Sequence, residues 1–345
     1  MRIALVAPAP FTTVSAGHAY DRRIVAGLRA AGHDVETVEL AGNHPLTDDA
    51  ARSAARAALD AHAAPTRLVI DGLALPAFAE LQAALDARDA VGLIHHPTAL
   101  ETGFTEEQRE TLRAAERRLM PALRQVIATS EPTAERLVAD FGVTSERLSV
   151  VAPGSDALPR STGSGGGSCA ILSVGALVPR KGHDVLLRAL ARLFDLDWHL
   201  TVAGSDQRDP VHVRTLSALA EELGVSARVR FAGALDDAAL EPLWQTADLF
   251  ALATNWEGYA ASVAEALRRG LPVAVTTGGA AASLVPAEAG VVCPPGDHAG
   301  FSKAIRRLIF SYDLRAEMGE VAWRAGQELP SWDTQVAAFA AALAA

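Results

Sequence analysis

Asn255-Trp256-Glu257-Gly258-Tyr259-Ala260-Ala261-Ser262-Val263-Ala264-Glu265-Ala266-Leu267 sets one acid in a Gly-bearing loop and a second inside the apolar helix that follows. A helical turn rises about 5.4 Å, so Glu257 and Glu265, roughly two turns apart, can grip two parts of one long ligand. Between them the helix begins, and its free N–H groups and positive dipole end suit a phosphate. Sugar, diphosphate and ribose follow one another in that order along a nucleotide-sugar. The plainer alternative makes Glu257 an acid helped only by the helix dipole and Glu265 a solvated surface residue. The neighbours of Glu265 weigh against it. Val263, Ala264, Ala266 and Leu267 flank it, the strand-like Leu271-Pro272-Val273-Ala274-Val275 follows, and a carboxylate in apolar company is usually partnered.

Outward from this stretch the chain alternates strands and helices. Residues 3–7, 35–40, 67–71, 90–95 and 125–130 read as short strands, with helices over 19–28 and from Pro132. A second set reads as strands at 171–174, 198–203, 228–231, 247–252, 273–276 and 289–292, with helices at 184–192 and 237–246. Such alternation implies an α/β protein of doubly wound parallel sheets. Ser161-Thr162-Gly163-Ser164-Gly165-Gly166-Gly167-Ser168 reads as a flexible segment marking a domain boundary. The 345 residues suit two domains, each able to bury its own core.

Three segments together resemble family 4 of the retaining glycosyltransferases, which have the GT-B fold of two Rossmann-like domains facing across a cleft. They are Glu257-Gly258-Tyr259-Ala260 through Glu265 with Gly270-Leu271-Pro272-Val273; Ser173-Val174-Gly175-Ala176-Leu177-Val178-Pro179-Arg180-Lys181-Gly182; and Ser149-Val150-Val151-Ala152-Pro153-Gly154-Ser155-Asp156. The resemblance implies an acceptor-side domain over 1–160, a nucleotide-sugar domain over 161–330, and a last helix, about 331–345, that packs back on the first domain. It implies that Arg180 and Lys181 neutralise the donor diphosphate and that Glu265 takes the ribose hydroxyls. Glu257 would lie by the transferred sugar, with Gly175 and the amides of Gly258, Tyr259 and Ala260 near the phosphates or sugar. Ser15-Ala16-Gly17-His18 stands where the family often has two glycines, so Gly17 is the one left for backbone approach to phosphate. Ala260 stands where the family often has Gly, and Ala280-Ala281-Ala282-Ser283 where an acid commonly follows Gly278-Gly279.

In the family a His ends a comparable N-terminal strand near the reacting sugar. Here the match is His95 or His96, with His96 favoured, and His18, Tyr20, Asp21, Asp71 and Glu101 are candidates for the surrounding polar wall. The implied reaction is transfer of a sugar, with retention, from a nucleotide diphosphate sugar to a hydroxyl acceptor: a small molecule, a lipid or a saccharide. No metal-ligand spacing is visible, and the Arg–Lys pair with the helix amides can do a metal's electrostatic work, so no cofactor or metal is expected. A GT-B-like sugar-nucleotide epimerase and a non-catalytic sugar-nucleotide-binding protein are the alternatives. A dehydrogenase fits less well, because no Gly-x-Gly-x-x-Gly follows the first strand.

Net charge −10 argues against a nucleic-acid polymer as partner. The basic pairs Arg22-Arg23, Arg117-Arg118 and Arg306-Arg307 leave room for weak contact with an anionic membrane surface. Cys169 and Cys293 lack metal or redox spacing and read as buried apolar residues of a reducing cytoplasm. The opening strand, soon punctuated by Pro8 and Pro10, is too short for a signal peptide or a membrane span.

Overall fold

A computed structural model describes residues 1–13 and 15–344. The chain forms two compact units, Met1–Gly154 with Pro330–Ala345, and Ser155–Leu329. In the first unit six strands, β1 (Arg2–Pro8), β2 (Asp34–Leu40), β3 (Arg67–Asp71), β4 (Val91–Ile94), β5 (Gln125–Ala128) and β6 (Leu148–Val150), pair in parallel in the order β2-β1-β3-β4-β5-β6. Buried on both faces, the central strands are near-continuous apolar runs, which is why their positions are legible in the sequence. Alternate residues feed two cores: Ala4 and Val6 face one, Ile3, Leu5 and Ala7 the other.

Helix starts follow local chemistry. Ser15, Asp48 and Ser130 each accept a backbone N–H at the start of the helices Ala16–Ala30, Asp49–Ala61 and Glu131–Phe141. Thr105 and Gln108 form a reciprocal capping box on Glu106–Leu119. The C-terminal helix Trp332–Ala344 lies in the first unit, its Val336, Phe339 and Leu343 sharing a core with Ile24 and Leu28. Gly27 makes room for it, since a Cβ there would stand 2.3 Å from Val336 Cγ2.

The second unit holds β7 (Cys169–Val174), β8 (Trp198–Ala203), β9 (Val229–Gly233), β10 (Leu249–Leu252), β11 (Val273–Thr276) and β12 (Gly290–Cys293), parallel in the order β12-β11-β10-β7-β8-β9. Leu249 and Ala251 of β10 face one core, Phe250 and Leu252 the other. Each sheet has a point where strand order reverses, between β1 and β3 in the first and between β7 and β10 in the second. Open α/β sheets bind ligands at the carboxyl ends of such strands.

The units part between Gly154 and Ser155, so the Gly/Ser-rich run 161–168 lies inside the second unit rather than at a flexible boundary. Polar backbone and hydroxyl groups pin it there. Ser161 N donates to the Arg269 carbonyl (2.9 Å), Thr162 N to the Gln245 carbonyl (3.0 Å) and Ser164 N to Asp248 Oδ1 (3.1 Å). The basic pairs are tied into the surface as well: Arg22 donates to the carbonyls of Phe11 and Thr13, Arg117 to that of Asp140, Arg118 to that of Ala79, and Arg306 to Asp195. Among the described residues no helix is long and apolar enough to cross a membrane.

Candidate functional site

In the second unit the residues expected to meet a diphosphate converge where β7 and β10 run out. After β7 the chain turns through a short 3₁₀ segment, Pro179–Lys181, that ends on Gly182 in the left-handed region (φ 64°). After β10 it runs through Thr254 to Glu257. Gly175 lets the Lys181 side chain pass, since a Cβ there would come 2.9 Å from Lys181 Cε. Lys181 Nζ then reaches Glu257 Oε1 at 2.7 Å, with Arg180 Nη1 at 3.3 Å from the same oxygen. Arg180 also donates to the Trp256 carbonyl (2.5 Å), and its own carbonyl accepts from Asn255 N (2.8 Å).

Glu257 is only 6% exposed. Burial opposes its ionisation, but Lys181 and Arg180 outweigh that and hold its carboxyl below the usual range, with the Thr254 hydroxyl 3.0 Å away. Its backbone is fixed by Gly278 and Gly279: Glu257 N donates to the Gly278 carbonyl and Ala280 N to the Glu257 carbonyl. Gly279 has φ 64°, and a Cβ there would overlap the Glu257 carbonyl oxygen at 2.2 Å. Thr254 and His183 carry no mark in the sequence, yet both belong here. Burial, aided by Lys181, pushes the pKa of the buried His183 down to about 4, against the backbone of Ala176 and Gly175, which favours its charged form.

Gly258, Tyr259 and Ala260 carry the chain from Glu257 into the helix Ala261–Arg268. Ala260 sits at φ 68°, an uncommon conformation for a residue with a Cβ, and no side chain caps the helix start. Burial pushes the Tyr259 hydroxyl up to about 12.

Glu265 lies on that helix, half-buried. The expected partner is missing, for its carboxylate makes no hydrogen bond among the described residues. The physical reason is that Arg269, the nearby cation, is held by Glu241 through two bonds of 2.8 and 2.6 Å. Burial raises the Glu265 pKa to about 7; Arg269 opposes this, and Asp237, Glu241 and Asp156 add to it. A carboxyl raised in the folded state binds its proton more tightly there, so stability falls as pH climbs from the unfolded value near ~4.3 to about 7. Glu265→Gln removes that loss. Its urea midpoint is expected to exceed wild type at pH 8 and to show little gain at pH 4; an equal gain at both would refute this assignment.

The first unit gathers a second cluster at its own reversal point. Asp21 comes from the helix after β1, Asp71 ends β3, and His95 follows β4. His95 Nε2 stands 3.1 Å from Asp21 Oδ1 and 3.4 Å from Asp71 Oδ2. One ligand-type atom from each of the three lies within 4.8 Å of the others, a grouping hidden from the metal-ligand spacings sought in the sequence because three separate elements supply it. Gly17 packs against the His95 ring, where a Cβ would stand 3.1 Å from Cδ2. His96 turns elsewhere, its Nε2 3.1 Å from Glu101 Oε2.

Residues 155–324 match the family model described as Glycosyl transferases group 1, and residues 20–157 match that described as Glycosyltransferase Family 4. A lipopolysaccharide core biosynthesis glycosyltransferase, LpsE, of Rhizobium meliloti is 34% identical over 44% of this chain and 42% of its own length. The chain thus spans about half the length of the curated relatives it matches. In fold it is similar to sucrose-phosphate synthase from Thermosynechococcus elongatus (TM-score 0.84, 20% identity, 99% of this chain and 98% of that one). It is also similar to Anabaena HepE in complex with UDP and glucose (TM-score 0.77, 18% identity, all of both chains). Glycosyltransferase family models thus match within each unit, and the two parallel six-stranded sheets give the chain the GT-B fold.

Proposed function

We propose that the second unit binds a nucleotide diphosphate sugar and that the chain transfers the sugar, with retention, to a hydroxyl acceptor bound on the first unit, without need of a metal. The observation that carries this reading is the joining of Arg180, Lys181 and Glu257 at the reversal point of the second sheet. Two cations fixed on one short turn are a ready counter-charge for a diphosphate. An arriving donor shares them with Glu257, whose carboxylate then lies beside the phosphates, where a sugar hydroxyl can donate to it. The uncapped helix start beyond Ala260 adds oriented amides. As the glycosidic bond breaks, charge develops on the leaving nucleoside diphosphate, and preorganised cations and amides stabilise that charge most. The acceptor attacks on the face from which phosphate departs, and the phosphate helps remove its proton. Glu265, whose carboxylate makes no hydrogen bond among the described residues, suits a pair of ribose hydroxyls.

HepE was captured with UDP and glucose, which makes UDP the first nucleotide to try. The acceptor class stays as broad as small molecule, lipid or saccharide. The free, buried thiols of Cys169 and Cys293 support a cytoplasmic setting. A thermal-shift comparison of UDP, GDP, ADP and dTDP tests the donor site. One of them is expected to raise the melting temperature by several degrees, since ligand at 100 times Kd adds about 2.7 kcal/mol of stability. No response to any at millimolar concentration would sink the reading. With the matching nucleotide-sugar, turnover is expected to persist in excess chelator; complete loss restored by a divalent metal would contradict metal independence.

A further inference from the structure

We propose that Asp21 and Asp71 are positioning residues for His95, gripping its Nε2 from two sides so that Nδ1 is offered as a fixed hydrogen-bond donor to a neutral hydroxyl of the acceptor. The choice of ligand rests on the reading above; the clamp itself does not.

The geometry is over-determined. Nε2 carries one hydrogen and faces two carboxylates, at 3.1 and 3.4 Å. Both acids are shut from water, Asp21 at 0% and Asp71 at 2% exposure. Asp71 is itself pinned by Leu73 N, which donates to its Oδ1 at 2.7 Å. Asp21 Oδ2 is buried and has no partner among the described residues, so this carboxylate has the imidazole as its one hydrogen-bond donor there. The His95 carbonyl accepts from the Thr129 hydroxyl (3.2 Å), which fixes the backbone. Tyr20 meets the ring edge-on at 5.2 Å and is anchored through its hydroxyl to the Val151 carbonyl (2.9 Å). Gly17 closes the Cδ2 edge. A fifth of the His95 side chain stays exposed, and Nδ1 makes no hydrogen bond among the described residues, so that nitrogen is the one left for a ligand.

Charge decides what that ligand is. An imidazolium between two carboxylates has no positive charge to spare, so the cluster disfavours a phosphate and suits a neutral hydroxyl. Burial works against the imidazolium, but Asp21 and Asp71 outweigh it and lift the His95 pKa to about 10, which keeps a hydrogen on both ring nitrogens at neutral pH. Of the other titratable groups nearby, Tyr20 is bound to Val151 and His96 to Glu101, while His18 holds Ser15 Oγ through Nδ1 (2.8 Å), keeps a buried Nε2 with no partner among the described residues, and favours the charged form of Asp21.

Imidazole ¹⁵N NMR, with the His95 signal assigned by His95→Gln, tests the clamp without any donor. Wild-type His95 is expected to stay doubly protonated from pH 6 to pH 8.5 (roughly two units above the ordinary midpoint of ~6.5). In Asp21→Asn and Asp71→Asn its midpoint is expected to fall by at least ~1 unit. In steady-state transfer, Asp71→Asn is expected to raise acceptor KM about tenfold and leave donor KM unchanged. A wild-type His95 that titrates near ~6.5, or variants that leave its midpoint unmoved, would overturn the clamp. So would stoichiometric Zn²⁺ binding by wild type that Asp21→Asn abolishes, because a metal rather than a proton would then bridge the acids. Should wild type transfer no sugar at all, the NMR result still stands or falls alone, and it is the glycosyl-transfer reading that fails.

Discussion

Lys181→Ala is expected to lower nucleotide-sugar turnover by about 10²–10³, the effect of deleting one preorganised donor to developing oxyanion charge, roughly 2.7–4 kcal/mol. The geometry also predicts what happens to the fold. Glu257 is buried and loses the ammonium at 2.7 Å, keeping Arg180 at 3.3 Å. Removing one partner of a buried ion pair costs about 3–5 kcal/mol, and the remaining guanidinium places this case toward the low end. The sign with pH follows from the depressed Glu257 pKa. A carboxylate whose folded pKa lies below its unfolded value contributes stability above ~4.3, lost as pH falls through the lower folded value. The stability gap between wild type and Lys181→Ala is therefore expected to be full at pH 7 and to narrow in acid. Adding Glu257→Gln to Lys181→Ala removes the stranded charge, so the double variant is expected to regain stability without regaining turnover. A double-mutant cycle in urea, with donor turnover measured alongside, checks both halves. Wild-type turnover in folded Lys181→Ala would remove this residue from the site.

Gly182→Ala is expected to be the most damaging single methyl in the second unit. Gly182 has φ 64°, and a Cβ there would stand 1.9 Å from the Ala253 carbonyl oxygen. Left-handed strain in a residue with a Cβ costs about 1–2 kcal/mol. The overlap is with backbone that cannot swing aside, and overpacking of this kind adds about 1–3 kcal/mol or more. The turn that sets Arg180 and Lys181 would have to move, so urea stability and donor-induced thermal shift should fall together. Gly17→Ala is the control: its Cβ would meet the edge of the His95 ring at 3.1 Å, with no positive φ, and its loss of stability should be much smaller. If Gly182→Ala matched wild type in both measurements, the turn would not be built as described.

The strands were legible because a buried parallel strand is a short apolar run between turn signals. Residues 67–71, 198–203 and 273–276, and the helix 237–246, agree end to end with the structure. The helix Glu106–Leu119 was not legible, since its exposed face is densely charged and few residues mark its buried side, chiefly Leu112, Leu119 and the acid Glu116. Glu116 lies inward because Thr98 N, the Thr98 hydroxyl and Ala99 N all donate to it, a set of partners that only the folded chain brings together.

In the site, residue types and motifs singled out Arg180, Lys181, Glu257 and Glu265. What they did not show is that Glu257 binds the two cations directly, because that contact arises from β7 and β10 being neighbours in the sheet. The same holds for Asp21, Asp71 and His95, drawn together by the order β1-β3-β4. His95 and His96 are adjacent and chemically identical, yet consecutive side chains point in different directions, one to the paired acids and one to Glu101. Sequence alone has no means of choosing between them.

The central claim is that an activated sugar's diphosphate rests on the turn after β7. A crystal structure of the chain grown with whichever nucleoside diphosphate stabilises it most tests this directly. The account predicts phosphate oxygens within hydrogen-bond reach of Arg180 and Lys181 and ribose hydroxyls at the Glu265 carboxylate. A nucleotide bound away from that turn, with Lys181 still on Glu257 and Glu265 untouched, would contradict it.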